Sequence, residues 1–243
     1  MTRPTWVLPS VDPAYREACL ASMSADVRRR TLVIDNTETN RGVAASWNAG
    51  IDRMTETGAD WLVVAGESMR FGPDGGTDLE VQLRPDDHWT DTLFGWHYVA
   101  FHRATLERVG RFDENFWPAY FEDSDYLVRL HLAGLPSPRL NQLPHRWVNT
   151  GAHDLGTEHS IREGLVDVDF TALVNYWRLK WRAEPPDHGT DHPFGSHTAD
   201  WTWWPDRGPH PMSSRVGTEP GMARFGLARP GWVRYGSARL GNQ

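Results

Sequence analysis

The sequence predicts an α/β fold built on a mixed, mostly parallel sheet. Three short runs rich in β-branched and apolar residues, at 5–11, 31–36 and 61–65, each lead into polar or turn residues. Apolar residues at helical spacing fill the intervals between these runs, at 13–23 and 43–54. Strands that alternate with helices in this way form parallel units, and such sheets bind ligands beyond the carboxyl ends of their strands.

Polar and turn-forming residues collect at those predicted carboxyl ends. They are Pro9, Ser10 and Asp12 after the first strand, Asp35 and Asn36 after the second, and Gly66, Glu67 and Ser68 after the third. The carboxyl ends of neighbouring parallel strands meet at one edge of the sheet. We therefore expect a ligand site at this edge.

The later part of the chain divides at about residue 185. Before it, the patterns predict a loop at 71–91 with one short strand at 79–83, a strand at 96–103, a helix at 104–109, a strand at 143–148 and a helix at 166–181. After it, Pro, Gly and His dominate around an aromatic WTWW at 201–204. Such a segment cannot bury a core of its own. We expect one domain at 1–184 and an irregular extension at 185–243.

The segment FDENFWPAYFEDSDYLVRLHLAG, at 112–134, combines aromatic residues with acidic ones. Its second half has helical spacing and ends at a glycine, which places Glu122, Asp123 and Asp125 in the first turn of a helix. Acidic residues there complement the helix dipole by about 0.3–1 kcal/mol each. That role accounts for one or two of the five acids, but not for Asp113 and Glu114 upstream. A functional carboxylate beside an apolar wall is the alternative.

Composition narrows the class of protein. The net charge of −7 argues against general nucleic-acid binding, and Cys19, alone in the chain, can form neither an internal disulfide nor a thiolate zinc site. No run approaches the ~20 apolar residues of a membrane span, and the start MTRPTWVLPSV is unlike a signal peptide. We expect a cytoplasmic protein with no membrane span and no nucleic-acid partner.

Four stretches together resemble a known family. They are IDN at 34–36, NRGVAASWNAGID at 40–52, GRFDENFWPAYFEDSDYLVRLHLAG at 110–134 and NYWRLKW at 175–181. In this combination the chain resembles the family-2 glycosyltransferases, especially their rhamnosyltransferase-like bacterial and phage branch. The resemblance implies a GT-A (Rossmann-like) fold and transfer of a sugar from a nucleotide-diphosphate donor to an acceptor hydroxyl of a glycan or protein. If the chain is phage-encoded, we expect this activity in the host cytoplasm.

Inverting transfer needs a carboxylate that takes the acceptor proton and groups that hold the leaving diphosphate. The resemblance implies Asp123 as this base, with Glu122 as second candidate. The expected donor-binding residues are Pro9, Ser10, Asp12, Asp35, Asn36, Arg41, Asn48 and Gly66. For Asn48, hydrogen bonding to the backbone from the side of a helix is an equal alternative.

The 185–243 extension would wrap the domain or lie on the acceptor side.

The metal site that the resemblance implies is incomplete. Family members usually carry two acidic residues after the third strand, whereas here Glu67 is followed by Ser68. Mn²⁺ or Mg²⁺ is often held by one or two carboxylates with water and substrate phosphate, so Glu67 keeps such a cofactor in the expectation. His153 is the candidate second ligand, with His145 and His159 as rivals. A weaker or absent metal requirement is the alternative.

Two other functions remain open. A sugar nucleotidyltransferase would usually show a Gly- and Arg-rich phosphate loop after the first strand, and VLPSVDPAYRE at 7–17 contains no such loop. A degenerate GT-A domain would bind sugar or nucleotide without catalysis, which the missing acid at Ser68 allows. Retention of the whole FEDSD stretch favours the enzyme, because a binding module needs no base.

Overall fold

The computed structural model describes residues 2–92, 95–135, 139–141, 147–149 and 164–181. At 91, 92, 95, 139–141 and 147–149 it describes the backbone alone. The predicted extension at 185–243 and the three candidate histidines His145, His153 and His159 lie outside the described residues.

Strands and helices alternate through the first part of the described chain. The elements are β1 (Thr5–Ser10), α1 (Pro13–Ser22), α2 (Ala25–Arg30), β2 (Thr31–Asp35), α3 (Val43–Thr57), β3 (Trp61–Ala65), β4 (Met69–Phe71), α4 (Thr77–Glu80), β5 (Trp89–Thr92), β6 (Tyr98–His102), α5 (Arg103–Val109), α6 (Glu122–Leu132), β7 (Arg139–Asn141), β8 (Trp147–Asn149) and α7 (Phe170–Trp181). None of the helices in these described ranges has the length and hydropathy of a membrane-spanning segment.

Six of the described strands form one sheet in the order β2-β1-β3-β6-β5-β7. β1 runs parallel to β2 and β3, β6 runs antiparallel to β3 and β5, and β7 runs parallel to β5. Ser10 pairs with Asp35, so the carboxyl ends of β1 and β2 are level. A separate antiparallel pair joins β4 and β8. The predicted α/β fold, with a mixed, mostly parallel sheet flanked by helices, is confirmed.

The core lies on both faces of this sheet because successive side chains of a strand point to opposite sides. Val7 and Leu62 pack on the face covered by α3 and α6, whereas Trp6 and Val63 pack on the face covered by α1 and α2. Gly50 allows α3 to approach β1 closely, since a Cβ there would lie 2.9 Å from the Val7 side chain. A third cluster joins the segment before α6 to α7.

One predicted element is wrong, and four described elements were not predicted. The strand expected at 79–83 is instead the short helix α4 followed by a turn. Its apolar alternation is misleading because Val81 is 82% exposed and only its neighbours Leu79 and Leu83 are buried. The unpredicted elements are α2, which buries only Val27, and the short strands β4, β5 and β7, which depend on pairing with other strands.

Other boundaries differ by a few residues. The strand predicted at 96–103 begins at Tyr98, after a 3₁₀ turn at Gly95–His97. The helix predicted at 166–181 begins at Phe170. Of the strand predicted at 143–148, the described part is β8, since 142–146 lie outside the described residues.

Candidate active site

The carboxylate of Glu67 joins the end of β3 to the end of β1. Its Oε2 accepts hydrogen bonds from the backbone N–H groups of Val11 and Asp12, at 3.2 and 3.1 Å. Glu67 is 7% exposed. Burial raises its pKa, aided by the charge of Asp12 and opposed by hydrogen bonds from Ser10 and the backbone. Glu67 therefore holds the loop after β1 in place.

That loop continues directly into α1. Asp12 is the N-cap residue of α1, and its Oδ1 accepts hydrogen bonds from the N–H groups of Ala14 and Tyr15, at 2.8 and 3.2 Å. Ser10 is buried, and its carbonyl accepts a hydrogen bond of 2.8 Å from the N–H of Asn36. The structure thus brings the predicted residues after β1 next to those after β2.

Asp35 ends β2 as an exposed carboxylate. Its Oδ1 accepts hydrogen bonds from the backbone N–H and the hydroxyl of Thr37, at 3.0 and 2.6 Å, and its Oδ2 lies 2.6 Å from Arg16 Nη1. The hydrogen bonds of Thr37, followed by the Arg16 guanidinium, lower the pKa of Asp35 to about 2. A charged carboxylate therefore stands at the edge where β1 and β2 end.

The connection from β2 to α3 is organised by Asn36. Its buried amide donates a hydrogen bond of 3.1 Å to Ser46 Oγ, and its Oδ1 accepts one of 3.2 Å from the N–H of Arg41. The Arg41 side chain is exposed. Asn36 thus shapes the turn, and Arg41 presents a cation at the same edge of the sheet.

Asn48 lies on the buried side of α3 and binds the start of the acidic segment, which is the stretch at 112–134 that combines aromatic and acidic residues. Its Oδ1 accepts a hydrogen bond of 2.9 Å from the N–H of Phe112, and its Nδ2 donates to the Phe112 carbonyl at 3.0 Å and to Glu114 Oε1 at 2.9 Å. These contacts support the alternative in which Asn48 bonds the backbone from a helix.

The acidic segment crosses the beginning of α3 before it enters α6. The Val43 N–H donates to the Pro118 carbonyl at 2.8 Å, and Trp117 Nε1 donates to the Asn40 carbonyl at 3.0 Å. Gly42 has φ +88°, and a Cβ there would lie 2.7 Å from Trp117 Cδ1. Gly42, in the stretch NRGVAASWNAGID at 40–52, therefore allows the segment to lie against the turn after β2. This contact brings the start of α6 toward the carboxyl edge of the sheet.

A tight turn precedes α6. Tyr120 and Phe121 have φ values of 80° and 68°, in the left-handed region. Non-glycine residues held in such conformations cost on the order of 1–3 kcal/mol each and persist only where surrounding structure holds them. Here both rings are buried in the third cluster, with Phe121 packed 5.8 Å from Trp177 between ring centroids. The first turn of α6 thus follows a strained and closely packed turn.

Glu122 and Asp123 differ sharply in their surroundings. Glu122 is buried, and its Oε2 has no hydrogen-bond partner within the described parts of the chain. Burial, followed by the neighbouring Asp123 charge, raises the pKa of Glu122 well above its ordinary value. Asp123 is half-buried, and its Oδ1 accepts a hydrogen bond of 2.6 Å from the Ser124 N–H. Asp123 is therefore the more accessible member of the pair.

Two further acids of the motif, Asp113 and Asp125, bind a lysine to which the sequence assigned no role. Asp113 and Asp125 each place a carboxylate oxygen 2.6 Å from Lys180 Nζ. Arg129 Nε lies 2.9 Å from the other oxygen of Asp125. The sequence signal for this lysine is the NYWRLKW stretch at 175–181, whose resemblance to a known motif does not by itself assign Lys180 a function.

Two aromatic side chains of α7 complete these contacts. The Tyr176 hydroxyl donates to Asp113 Oδ2 at 2.7 Å, and Trp181 Nε1 donates to Asp125 Oδ1 at 3.0 Å. Burial acts to raise the pKa of Asp113, but the adjacent Lys180 charge and hydrogen bonds lower it below its ordinary value. Asp113 and Asp125 are thus structural partners of α7.

The described residues offer limited support for a metal. Among them, no group of three or more His, Cys, Asp or Glu side chains gathers closely enough to hold an ion. Glu67 is the described member of the predicted ligand pair, and His153 lies outside the described residues. Both Glu67 oxygens face backbone N–H groups, yet a carboxylate retains further lone pairs for a cation. Gly66, beside it, donates its N–H to the His97 carbonyl at 2.7 Å.

No protein-family model matches the chain, and neither does the sequence of any curated protein. Among solved structures, a mutant of Drosophila β-1,4-galactosyltransferase 7 with manganese, UDP-Gal and xylobiose is 13% identical, with a TM-score of 0.47 over 70% of this chain and 82% of that chain. The catalytic domain of the same enzyme with xylobiose is 14% identical, with a TM-score of 0.47 over 60% and 68%. A mannosyltransferase from Pyrobaculum calidifontis with GDP-Man and Mn²⁺ is 16% identical, with a TM-score of 0.43 over 98% and 74%.

Proposed function

We propose that the protein is an inverting glycosyltransferase that moves a sugar from a nucleotide-diphosphate donor to an acceptor hydroxyl of a glycan or protein. The observation that carries the proposal is the half-buried carboxylate of Asp123 in the first turn of α6, after the segment that bonds through Trp117 and Pro118 to the connection between β2 and α3. Parallel sheets of this kind bind ligands at the edge where their strands end. A reachable carboxylate beside that edge is suited to general-base catalysis.

In the proposed reaction, Asp123 accepts the proton of the acceptor hydroxyl while the acceptor oxygen forms a bond to the anomeric carbon. The bond between that carbon and the diphosphate oxygen breaks, and the nucleotide diphosphate leaves with the electron pair. Glu122 is less suited to this role because its burial favours the protonated form.

The donor would lie along the ends of β1 and β2. Asp35, kept charged by Thr37 and Arg16, would accept hydrogen bonds from the nucleoside. The exposed Arg41 would face the base or the phosphates. Pro9, Asp12 and Gly66 would form the surrounding surface, with the buried Ser10 and Asn36 beneath it, and Asn48 would support the segment that begins at Phe112.

A divalent cation, Mn²⁺ or Mg²⁺, would neutralise charge on the leaving diphosphate. Glu67 would supply one carboxylate ligand, since such cations are often bound through one or two carboxylates with water and substrate phosphates. We propose His153 as the second protein ligand. Cytoplasmic location and the rhamnosyltransferase-like branch stay predictions of the sequence.

Calorimetric titration with UDP, GDP and dTDP, each in Mn²⁺ and in EDTA, tests the proposal. We expect one nucleotide to bind, more tightly with Mn²⁺, and the matching sugar nucleotide to be consumed when an acceptor is added. Binding that is equal in EDTA would remove the metal and leave the diphosphate to arginine and backbone N–H groups. No binding to any of the three nucleotides would overturn the transferase.

One observation favours a second candidate, a GT-A domain that binds without catalysis. Ser68 stands where a second acid is common, and its hydroxyl is buried without a hydrogen-bond partner among the described residues. Nucleotide binding with no sugar transfer to any glycan or protein acceptor, from a preparation that binds one nucleotide per chain, would support that candidate. A nucleotidyltransferase would instead release pyrophosphate from a nucleoside triphosphate and a sugar phosphate.

A further inference from the structure

Lys180 connects three separate parts of the chain. It lies near the end of α7, and its Nζ is 2.6 Å from Asp113 at the start of the acidic segment and 2.6 Å from Asp125 in the first turn of α6. The side chains of both acids are 0% exposed, and that of Lys180 is 3% exposed. One buried ammonium thus binds the segment on both sides of Asp123.

The group is electrically balanced. Asp113 and Asp125 carry two negative charges, and Lys180 and Arg129 carry two positive ones. Arg129 also donates from Nη1 to the carbonyls of Val109 and Arg111, at 3.2 and 2.8 Å, which ties α6 to the end of α5. An unpaired buried charge is strongly unfavourable, so each member of the group is held in place by the others.

The strained turn lies between the two anchored acids. Tyr120 and Phe121 adopt left-handed backbone conformations directly before Glu122 and Asp123. Such conformations persist only where surrounding structure over-determines them. The ion pairs of Lys180 at both flanks, together with the packing of Phe121 on Trp177, supply this constraint.

We propose that Lys180 is a positioning residue for the base. By bridging Asp113 and Asp125, it holds the Tyr120–Phe121 turn and thereby orients the carboxylate of Asp123. Its kinetic consequence rests on the proposed transferase function, whereas its structural consequence does not. Lys180 acts through the segment and takes no part in the chemistry.

A second ion pair provides a matched control. Arg30 lies 2.8 Å from Glu80 and 3.0 Å from Asp26, and it donates to the Pro4 carbonyl at the amino end of β1. Its side chain is 19% exposed. Replacing Arg30 with Met removes a partly buried ion pair far along the sheet from the edge where the strands end.

The experiment compares four variants of the full chain: Lys180→Met, Lys180→Arg, the charge-balanced pair Lys180→Met with Asp113→Asn, and Arg30→Met. Two properties are measured. The first is amide hydrogen exchange of the peptides covering 112–126. The second is steady-state kcat and KM with the sugar nucleotide that matches the nucleotide identified by calorimetry and is consumed when an acceptor is added. The charge-balanced variant guards against simple failure of Lys180→Met to fold, because it leaves Asp125 paired with Arg129.

In the charge-balanced variant we expect exchange in 112–126 to rise about tenfold or more, because the local opening of the segment becomes easier. We expect kcat to fall by roughly 10²-fold, the scale of a small misplacement of a catalytic group, with KM for the donor and nucleotide Kd within about threefold of wild type. Lys180→Arg should recover part of kcat. Arg30→Met should lower Tm and change neither exchange in the segment nor kcat.

Unchanged exchange in 112–126 together with wild-type kcat would overturn the proposal. A fall in kcat that only follows the folded fraction, as for an ordinary stabilising pair, would also overturn it. If the wild-type protein transfers no sugar while exchange rises in the variants, the transferase assignment fails and the structural role of Lys180 stands.

Discussion

Glu122 and Asp123 are adjacent in the chain, yet the fold turns them toward different surroundings. The side chain of Glu122 is enclosed at the start of α6, whereas that of Asp123 is half-buried and bonded to the Ser124 N–H. Burial, followed by the charge of Asp123, raises the pKa of Glu122 well above its ordinary value. The roles proposed for the two acids therefore follow from their exposure.

The variant Asp123→Asn should fold normally and lose at least ~10²-fold in kcat, because the amide cannot accept the acceptor proton. Glu122→Gln should lose less, within about tenfold, because a glutamine resembles the protonated carboxyl that burial favours. Release of nucleoside diphosphate measures both, and thermal unfolding checks the fold. Turnover like that of wild type in Asp123→Asn would refute the assignment of the base.

Helix α3 supports the acidic segment through its amino end and its buried side. Gly42 and Val43 contact Trp117 and Pro118, and Asn48 bonds the backbone of Phe112. The stretch at 40–52 and the acidic segment at 112–134 are far apart in the sequence but meet in the fold. Resemblance drew attention to both stretches, but only the folded chain reveals that the first positions the second.

Asn48→Ala tests this relation between elements. The change leaves the N–H and carbonyl of Phe112 without their partner, so we expect about 2–3 kcal/mol less free energy of unfolding. Urea denaturation measures this value. Thr55→Ala, on the exposed side of the same helix, is the control and should change the free energy by less than about 0.5 kcal/mol.

Nucleotide binding separates the two explanations for Asn48. If the residue only supports the segment, the folded fraction of Asn48→Ala should bind nucleotide with a Kd near that of wild type. A Kd weakened in a variant of unchanged stability would instead support the direct donor contact that the sequence predicted.

At the scale of the whole molecule, the described residues form three apolar clusters: two on the faces of the sheet, and a third between the acidic segment and α7. The last of these includes Trp177 and Trp181, so α7 belongs to the core. The chain up to the end of this helix thus contains the sheet, the proposed base Asp123 and the residues that hold Asp123 in position.

A chain ended after residue 184 should therefore unfold in one cooperative transition and bind nucleotide with a Kd near that of the full chain. Transfer should fall if the 185–243 extension contributes to the acceptor side. Differential scanning calorimetry and nucleotide titration measure the two properties. A truncated chain without a cooperative transition would contradict the predicted boundary and make the extension part of the core.

The sequence by itself determined the βαβ order, the polar edge and the acidic first turn of α6. Each of these depends on local periodicity or on residues close together in the chain. The strand wrongly expected at 79–83 shows the limit of such patterns, because alternation does not reveal that Val81 is exposed.

Tertiary structure decided the antiparallel direction of β6, the attachment of Glu67 to the loop after β1, and the bridge from Lys180 to Asp113 and Asp125. It also decided that Asp123 is the more accessible acid. These features join residues that are distant in the chain, and burial is a property of the packed molecule. Neither can be read from the spacing of residues along a single segment.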